Sequence, residues 1–328
     1  MAPRTPLDLE RHGVRLALAA IGLLVLVAGV VRLAEGDGAP DPTVTEAAPR
    51  AGEILLPDVA PPPRSRRGGV VGTQRRGVFD DGRFLVAYYG TAGTGALGVL
   101  GETGPEVMHE RLRRAARPFE RAGRKVQLVY ELIVTIADRT PGKDRSYSHD
   151  IDPALVKRYV EAARRHGALL LLDLQPGHER FPDVAKRWKW ALTEPHVGLA
   201  LDPEWRMRHA VPGHVIGSVR AHEVNRTARW LSQLTKRHGL PEKLFVLHQF
   251  RTSMIQKIHR IGPRAHLAMV QHVDGFGTPR QKRATYHAVA RPDQFTMGFK
   301  LFYDEDVRRM GPADVAALRP RVRFVSFQ

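Results

Sequence analysis

The chain has 328 residues, of which 43% are hydrophobic and 26% are charged, proportions typical of a globular protein. It contains no cysteine, which excludes disulfide bonds, thiolate metal sites and a cysteine-linked lipid anchor. The formal net charge of +17 favours anionic partners such as acidic lipid headgroups, anionic wall polymers or nucleic acid.

The first predicted element is an apolar run from Val14 to Leu33. A helix of that length spans a hydrocarbon layer of ~30 Å. Arginines precede this run and acidic residues follow it, so the positive-inside rule places residues 1–13 in the cytoplasm and the rest of the chain outside. We therefore predict an uncleaved transmembrane signal-anchor helix at 14–33, a single-pass cell-membrane protein with an extracytoplasmic C-terminal domain, and no nucleic-acid partner. A cleaved signal peptide and a buried core helix are the alternatives.

Residues 34–78 are rich in proline and poor in aromatic residues, and they end with an arginine-rich stretch. This composition predicts a disordered linker. Its arginines either contact anionic lipid or wall polymer, or only keep the linker soluble; they are Arg64, Arg66, Arg67, Arg75 and Arg76.

Eight apolar, strand-like runs alternate with amphipathic stretches over residues 79–328. The runs are FLVAYY (84–89), VQLVYELIV (126–134), ALLLLDL (168–174), VGLAL (197–201), LFVLHQF (244–250), LAMVQHV (267–273), FTMGFKLF (295–302) and FVSF (324–327). Strands that are apolar on both faces and separated by helices indicate a parallel sheet covered on both sides. Eight such units match a (β/α)8 TIM-like barrel, with an open doubly wound sheet as the alternative. We predict helices at 105–122, 152–167 and around 224–234, and shorter ones around 181–192, 252–261, 279–290 and 304–318.

The stretch from Gly93 to Gly98 satisfies the glycine pattern of dinucleotide-binding turns. That fingerprint requires a helix to begin within the pattern, but Gly101, Gly104 and Pro105 interrupt any such helix. We therefore predict a flexible loop over the barrel mouth at 90–104, and no cofactor.

Polar side chains cluster where these strands end, and in a barrel those ends share one mouth. Alternation along a strand puts Asp173 and Gln175 on one face, and likewise Asp202 and Glu204. We expect both pairs to point into the mouth, because an unpaired carboxylate on the helix-covered face is costly. Glu131, within the second run, indicates either an inward-facing group or a misplaced strand end. The remaining candidates for substrate binding are Tyr88, Trp205, His248, His272, Asp274 and Lys300.

Carboxyl pairs beside aromatic side chains suit glycosidic bond cleavage, in which one carboxylic acid protonates the leaving oxygen and another carboxylate acts as nucleophile or base. On the strand endings LLLLDLQPG and GLALDPEW, residues 83–328 resemble exported TIM-barrel glycoside hydrolases as a class. The resemblance implies a membrane-anchored, glycan-active hydrolase whose catalytic residues are Glu204 with Asp202 or Asp173. Its partner would be a polysaccharide or cell-wall glycan.

Two other functions use the same residues. A metal-dependent hydrolase could draw ligands from Asp173, Glu204, His248 and His272, although no tight pair such as H-x-H is present. A non-catalytic barrel could bind wall glycan through its mouth and basic surface. Purely structural roles are also open for some of these residues. Asp202 could cap a turn, and His248 and His272 could be hydrogen-bonded barrel residues without a function in the site.

Overall fold

The computed structural model describes residues 77–328. The predicted anchor at 14–33 and nearly all of the predicted linker lie outside the described residues. No helix within 77–328 combines the length and apolar character needed to cross a membrane.

Eight parallel strands close into a barrel. They are β1 (Phe84–Gly90), β2 (Val126–Ala137), β3 (Leu169–Leu174), β4 (Val197–Leu201), β5 (Lys243–Gln249), β6 (Leu267–Val273), β7 (Thr296–Leu301) and β8 (Val322–Phe327). Each strand pairs with the next in the chain, and β8 returns to β1 with Leu85 opposite Phe324. The predicted eight-stranded parallel α/β barrel is therefore confirmed, and the open sheet is wrong.

Helices cover the outside of the barrel. They are α1 (Pro105–Arg121), α2 (Pro153–His166), α3 (Phe181–Arg187), α4 (Lys189–Leu192), α5 (Ala221–Arg237), α6 (Pro279–Val289) and α7 (Pro312–Ala317). Their ends follow local signals: the Asp152 side chain accepts the N–H of Ala154 at the start of α2, and Gly167 ends that helix with φ of 63°. On α1, Phe119 stacks on Phe84 and also meets Phe327 edge-on, so this helix covers part of β8 as well as β1.

The helix predicted around 252–261 is not present in the structure. Residues 252–261 form two 3-10 turns around a short strand, Ile255–Gln256, instead of a helix, because Lys257 takes a left-handed conformation and Met254, Ile255 and Ile261 are buried. That short strand pairs in parallel with Val219–Arg220. A third short strand, Ser148–Asp150, pairs antiparallel with the last residues of β2.

The loop after β1 is packed against the barrel. It forms two 3-10 turns, Gly95–Leu97 and Val99–Glu102. The backbones of Gly90 and Gly98 are so close that a Cβ atom on Gly90 would lie 2.7 Å from the carbonyl oxygen of Gly98. The glycines of the dinucleotide-like pattern thus serve close packing of this loop on the end of β1.

Side chains of alternate residues fill the barrel. Its lower interior is apolar and consists of Leu85, Ala87, Val129, Leu171, Ala200, Leu244, Val246, Ala268, Val270 and Phe324, with Val78 closing the end where the strands begin. The next inward positions toward the strand ends are polar: Tyr89, Glu131, Asp173, Asp202, His248, His272, Lys300 and Ser326. The interior therefore changes from apolar to ionisable at one level, which sets the depth of the candidate site.

Candidate functional site

A pocket opens at the ends of the barrel strands and has about 670 Å³ of space, part of it open to solvent. Its walls are mainly apolar: Leu97, Ile133, Trp205, Ile216, Phe250, Phe276 and Phe302. Its polar lining consists of Tyr89, Gln175, Asp202, Glu204, Asp274, Lys300 and Gln328. An apolar cup with a few converging polar groups is the usual form of a small-molecule site.

His248 lies at the centre of the polar level and is completely buried. Its Nδ1 lies 3.0 Å from Asp274 Oδ2, and its Nε2 lies 3.1 Å from Glu131 Oε1 and 3.8 Å from Asp173 Oδ1. The contact with Glu131 is ionic, since its geometry does not satisfy a hydrogen bond. Burial and Lys300 lower the pKa of His248, but Asp274 and Glu131 outweigh them and raise it well above its usual value. His248 is therefore a buried cation.

Three carboxyl groups hold protons more tightly than usual. Burial, followed by the neighbouring Asp274, raises the pKa of Glu204 to about 7. Burial raises the pKa of Asp173 to about 6, where Glu131 adds to the increase and His248 opposes it. Burial also raises the pKa of Asp202 well above its usual value. Carboxyl groups in such surroundings can donate a proton near neutral pH.

Lys300 is the second cation of the pocket and is 3% exposed. Its Nζ lies 3.5 Å from the centroid of the Tyr89 ring, 3.3 Å from Gln328 Oε1 and 3.8 Å from Asp274 Oδ2. The Tyr89 hydroxyl in turn donates to Asp173 Oδ2 at 3.0 Å. Burial raises the pKa of Tyr89 well above its usual value, so the phenol remains a hydrogen-bond donor.

The polar level contains more carboxyl groups than cations. Five carboxyl groups, those of Glu131, Asp173, Asp202, Glu204 and Asp274, face His248 and Lys300. Several buried atoms of this group also have no hydrogen-bond partner, namely both Glu131 oxygens, Asp173 Oδ1, Asp274 Oδ1 and His248 Nε2. Since unpaired buried charges are costly, the excess carboxyl groups must be protonated or balanced by a bound cation.

His272 lies beneath this cluster and packs against β7 at Gly298, where no side chain separates the ring from the backbone. Its Nε2 is 3.3 Å from the Ser326 hydroxyl, and its ring meets Phe324 edge-on. Burial, helped by the cations His248 and Lys300, lowers its pKa well below the usual value, so His272 is neutral. A Cβ atom on Gly298 would lie 2.6 Å from the His272 ring, which explains why glycine occupies this position.

Gly298→Ala is therefore expected to lower the free energy of unfolding by about 1–3 kcal/mol, because the methyl group must displace the buried imidazole. Urea denaturation of the full chain measures the change. Gly262→Ala is the matched control, since its Cβ atom would meet no atom within 4 Å, and it should be close to neutral. Equal losses in the two variants would contradict the steric explanation.

The structure brings most of the residues selected from the sequence to one place. Gln175, Asp202, Glu204, Trp205, Asp274 and Lys300 line the pocket, while Asp173, His248 and His272 are fully buried at its base. Asp202 also caps the turn that follows it, because its Oδ1 accepts the N–H of Glu204 at 3.2 Å.

Tyr88 does not line the pocket, so its proposed role in substrate binding there is not supported by its position. It lies on the outer face of β1, where its hydroxyl donates to the Arg111 carbonyl at 3.3 Å. The neighbouring Tyr89 faces inward instead. Sequence reasoning also left Phe250, Phe276 and Phe302 out, although each follows directly or closely after a strand end. Glu131 is an inward-facing group, and β2 continues beyond it to Ala137.

The raised pKa of Glu204 predicts a pH-dependent effect of Glu204→Gln on stability. The folded state holds this proton up to about pH 7, whereas the unfolded chain releases it near 4.5, so wild type loses stability as the pH rises between these values. Glutamine mimics the protonated form and avoids that loss. We expect equal stability near about pH 4.5 and a more stable variant above pH 7, the gap growing by less than about 1.4 kcal/mol per pH unit because Glu204 is partly exposed.

Urea denaturation of both proteins across this pH range measures the gap. Glu120→Gln, which changes an exposed carboxyl group on α1, should show no such trend. A gap that stays constant with pH would show that Glu204 ionises as freely in the folded chain as in the unfolded one.

Among the described residues, no group of three His, Asp or Glu side chains has the arrangement of a preformed metal site. The nearest approach to one is formed by His248 Nε2 with Glu131 and Asp173, at the distances given above. These donors are buried and unpartnered, and His248 is oriented by Asp274, as metal-binding histidines commonly are by carboxylates.

Comparisons with known proteins give little on function. No protein-family description matches the chain, and no curated protein is similar to it in sequence. Two solved structures of 5-methylcytosine deaminase from Klebsiella pneumoniae, liganded with 5-fluorocytosine and with phosphonocytosine, are 12% and 11% identical with TM-scores of 0.32 and 0.31. Each match covers 68% of this chain, and it covers 48% of the first deaminase chain and 49% of the second, so the chain spans about half their length.

The HpcH/HpaI aldolase from Desulfitobacterium hafniense DCB-2 is 10% identical with a TM-score of 0.32, over 75% of this chain and 85% of the aldolase. Similarity this low carries no argument for activity. The comparisons do not bear out the resemblance to exported glycoside hydrolases inferred from the sequence: no family description matches, and the structures named above are a deaminase and an aldolase. What the structure shows is the eight-stranded parallel α/β barrel and the pocket at its strand ends.

Proposed function

We propose that the chain is a hydrolase of small molecules whose chemistry takes place in the barrel-mouth pocket. The observation that carries this proposal is the excess of buried carboxyl groups over cations at the polar level of the barrel. An arrangement of five carboxyl groups with two cations, an excess of three, is costly for folding alone, and such sites are commonly kept for chemistry. The excess supplies carboxylic acids that hold exchangeable protons near neutral pH.

Glu204 is the proposed general acid and base. It lines the pocket, and its pKa of about 7 lets it both donate and accept a proton at neutral pH. Asp202 orients it by accepting its backbone N–H, and itself faces the same space. Lys300, on β7, also lines the pocket and supplies a positive charge that would stabilise negative charge developing on a substrate oxygen.

The shape of the pocket supports a small substrate. The polar groups are at the base of a cup bounded by Trp205, Phe250, Phe276 and Phe302, and Leu97 from the loop after β1 contributes to the wall. The aromatic walls favour a substrate with a planar or apolar part, and the polar base favours a hydrolysable polar group entering first.

The test is hydrolysis by the full chain of a panel of small chromogenic esters, amides, amidines and phosphate esters. Turnover that is saturable and is lost on blocking the pocket with Leu97→Trp would support the proposal. Glu110→Gln, on the exposed face of α1, is the control and should retain full activity. Binding of small molecules without any turnover would favour the non-catalytic barrel instead.

A second candidate function, metal-dependent hydrolysis, is favoured by the unpartnered atoms of Glu131, Asp173 and His248, whose Nε2 would release its proton on binding the ion. A divalent cation there would balance the excess negative charge without protonating the carboxyl groups. When bound, it would polarise a substrate oxygen or lower the pKa of a bound water.

Calorimetric titration of the chelator-treated full chain with Zn²⁺, Mn²⁺ or Mg²⁺ separates the two candidates. Stoichiometric binding that is lost in Glu131→Gln, together with activity that depends on the added ion, would establish the metal-dependent form. Activity that survives treatment with chelator would instead support hydrolysis by proton transfer through Glu204, without a metal ion.

A further inference from the structure

A second cavity lies at the other end of the barrel, where β8, β1 and β2 begin. It has about 600 Å³ of space, part of it open to solvent. The residues that line it come from the segments just before these three neighbouring strands. It is therefore separated from the barrel-mouth pocket by the apolar lower interior, and the proposed function does not use it.

The lining is strongly cationic. Five positively charged side chains, Arg83, Arg124, Lys125, Arg321 and Arg323, share this cavity with one carboxylate, Asp81, which leaves an excess of four positive charges. Burial lowers the pKa of Arg124 and of Arg323, and the charge of Arg321 lowers both further. The arginines thus repel one another in the absence of a ligand.

Two of these arginines are held in place. The Arg124 guanidinium lies 4.1 Å from the centroid of the Phe84 ring, and Arg323 Nη2 donates to the carbonyls of Phe79 and Arg83 at 2.7 and 3.1 Å. Both guanidinium groups are therefore positioned before any ligand binds.

We propose that this cavity binds a phosphate group. Guanidinium groups match the geometry of phosphate oxygens, and a phosphate monoester carries about two negative charges, which offset up to half of the excess of four. A single carboxylate would leave most of that excess unbalanced. The phosphate belongs either to a soluble phosphorylated compound or to a phospholipid headgroup.

Two double variants are compared. One removes two positive charges from the cavity, and the other removes two positive charges from a distant surface. Arg124→Gln/Arg321→Gln alters the cavity, and Arg114→Gln/Arg117→Gln alters two exposed positions of α1 with the same change in net charge. Binding of inorganic phosphate and of pyrophosphate to the full chain is measured by calorimetry. We expect the cavity variant to bind at least about tenfold more weakly and the α1 variant to change less than about twofold.

Because Arg124 packs on Phe84, its replacement also risks a loss of stability. Arg321→Gln alone, at an exposed position, tests the cavity without that risk and should weaken binding by several-fold in a protein with an unchanged melting temperature. Equal weakening by the cavity and α1 variants, or no saturable binding by wild type to any of the probes, would overturn the proposal.

Vesicles separate the two sources of phosphate. Phosphatidylglycerol vesicles that compete with pyrophosphate, and bind the cavity variant less than the α1 variant, would identify a lipid headgroup. Phosphate binding that such vesicles leave unchanged would identify a soluble ligand. In both cases phosphatidylcholine vesicles, whose headgroups carry no net charge, measure the background.

Discussion

Replacing Glu204 by glutamine is expected to lower kcat by about 10²–10⁴-fold on any substrate that the wild-type chain hydrolyses. The amide keeps the size of the side chain but can neither donate an acidic proton nor accept one. KM should change little, because the aromatic walls and Lys300 remain in place. Measurement of kcat and KM across pH tests this, and the wild-type profile should show a group titrating near pH 7 that the variant lacks.

Asp202→Asn and Glu120→Gln complete that experiment. Asp202→Asn should lower activity less than Glu204→Gln if Asp202 only orients its neighbour, and more if Asp202 reacts itself. Glu120→Gln should match wild type, since Glu120 is exposed on α1 far from the pocket. Retention of full activity and of the same pH profile by Glu204→Gln would remove Glu204 from the chemistry and favour the metal-dependent form.

Asp306→Ala is expected to lower the free energy of unfolding by about 3–5 kcal/mol, the usual cost of removing one member of a buried ion pair. Asp306 Oδ1 lies 2.9 Å from the Lys282 ammonium, and both side chains are at most 1% exposed. Asp306 also accepts the N–H groups of Gly277 and Phe302. The substitution leaves a buried charge and two backbone donors without their acceptor. Urea denaturation of the full chain measures the loss.

Asp183→Ala is the control for Asp306→Ala. Asp183 forms ion pairs with Arg180 and Lys186, but its side chain is 41% exposed, so its removal should cost less than about 1 kcal/mol. The Asp306 variant should also bind pocket ligands more weakly, because Lys282 donates to the carbonyls of Gly275 and Lys300 beside the pocket. A loss no larger than that of the control would show that Lys282 is neutral in the folded chain.

The fold was readable from the sequence because its eight strands are nearly continuous apolar runs between helical stretches. The runs at 197–201 and 267–273 coincide with β4 and β6. The helix expected at 252–261 was wrong, since a left-handed residue and tertiary burial override its local pattern. The anchor expected at 14–33 lies outside the described residues and stays a prediction, as does an extracytoplasmic location.

Only part of the candidate site could be predicted from the sequence, because the pairing of strands decides which side chains face the barrel interior. In β1 both faces are apolar, so the sequence holds no alternation that tells Tyr88 from Tyr89; only the pairing of β1 with its neighbours decides which side chain faces inward. Polar residues in β3 and β4 gave the direction of Asp173 and Asp202 because the outer face excludes them. The ionic contacts of His248 join three strands and the residue that follows a fourth, and no spacing along the sequence encodes such a meeting.

The position of Gln328 affects how the chain can be labelled. Its side chain reaches the Lys300 ammonium, and its backbone N–H donates to the Leu301 carbonyl at the pocket rim. A fluorophore, affinity tag or fused protein attached after this residue would emerge at the pocket and hinder ligand entry. The first described residue, Gly77, lies at the opposite end of the barrel, on the side of the proposed phosphate cavity. Internal labelling on the exposed face of α1 would leave both sites accessible.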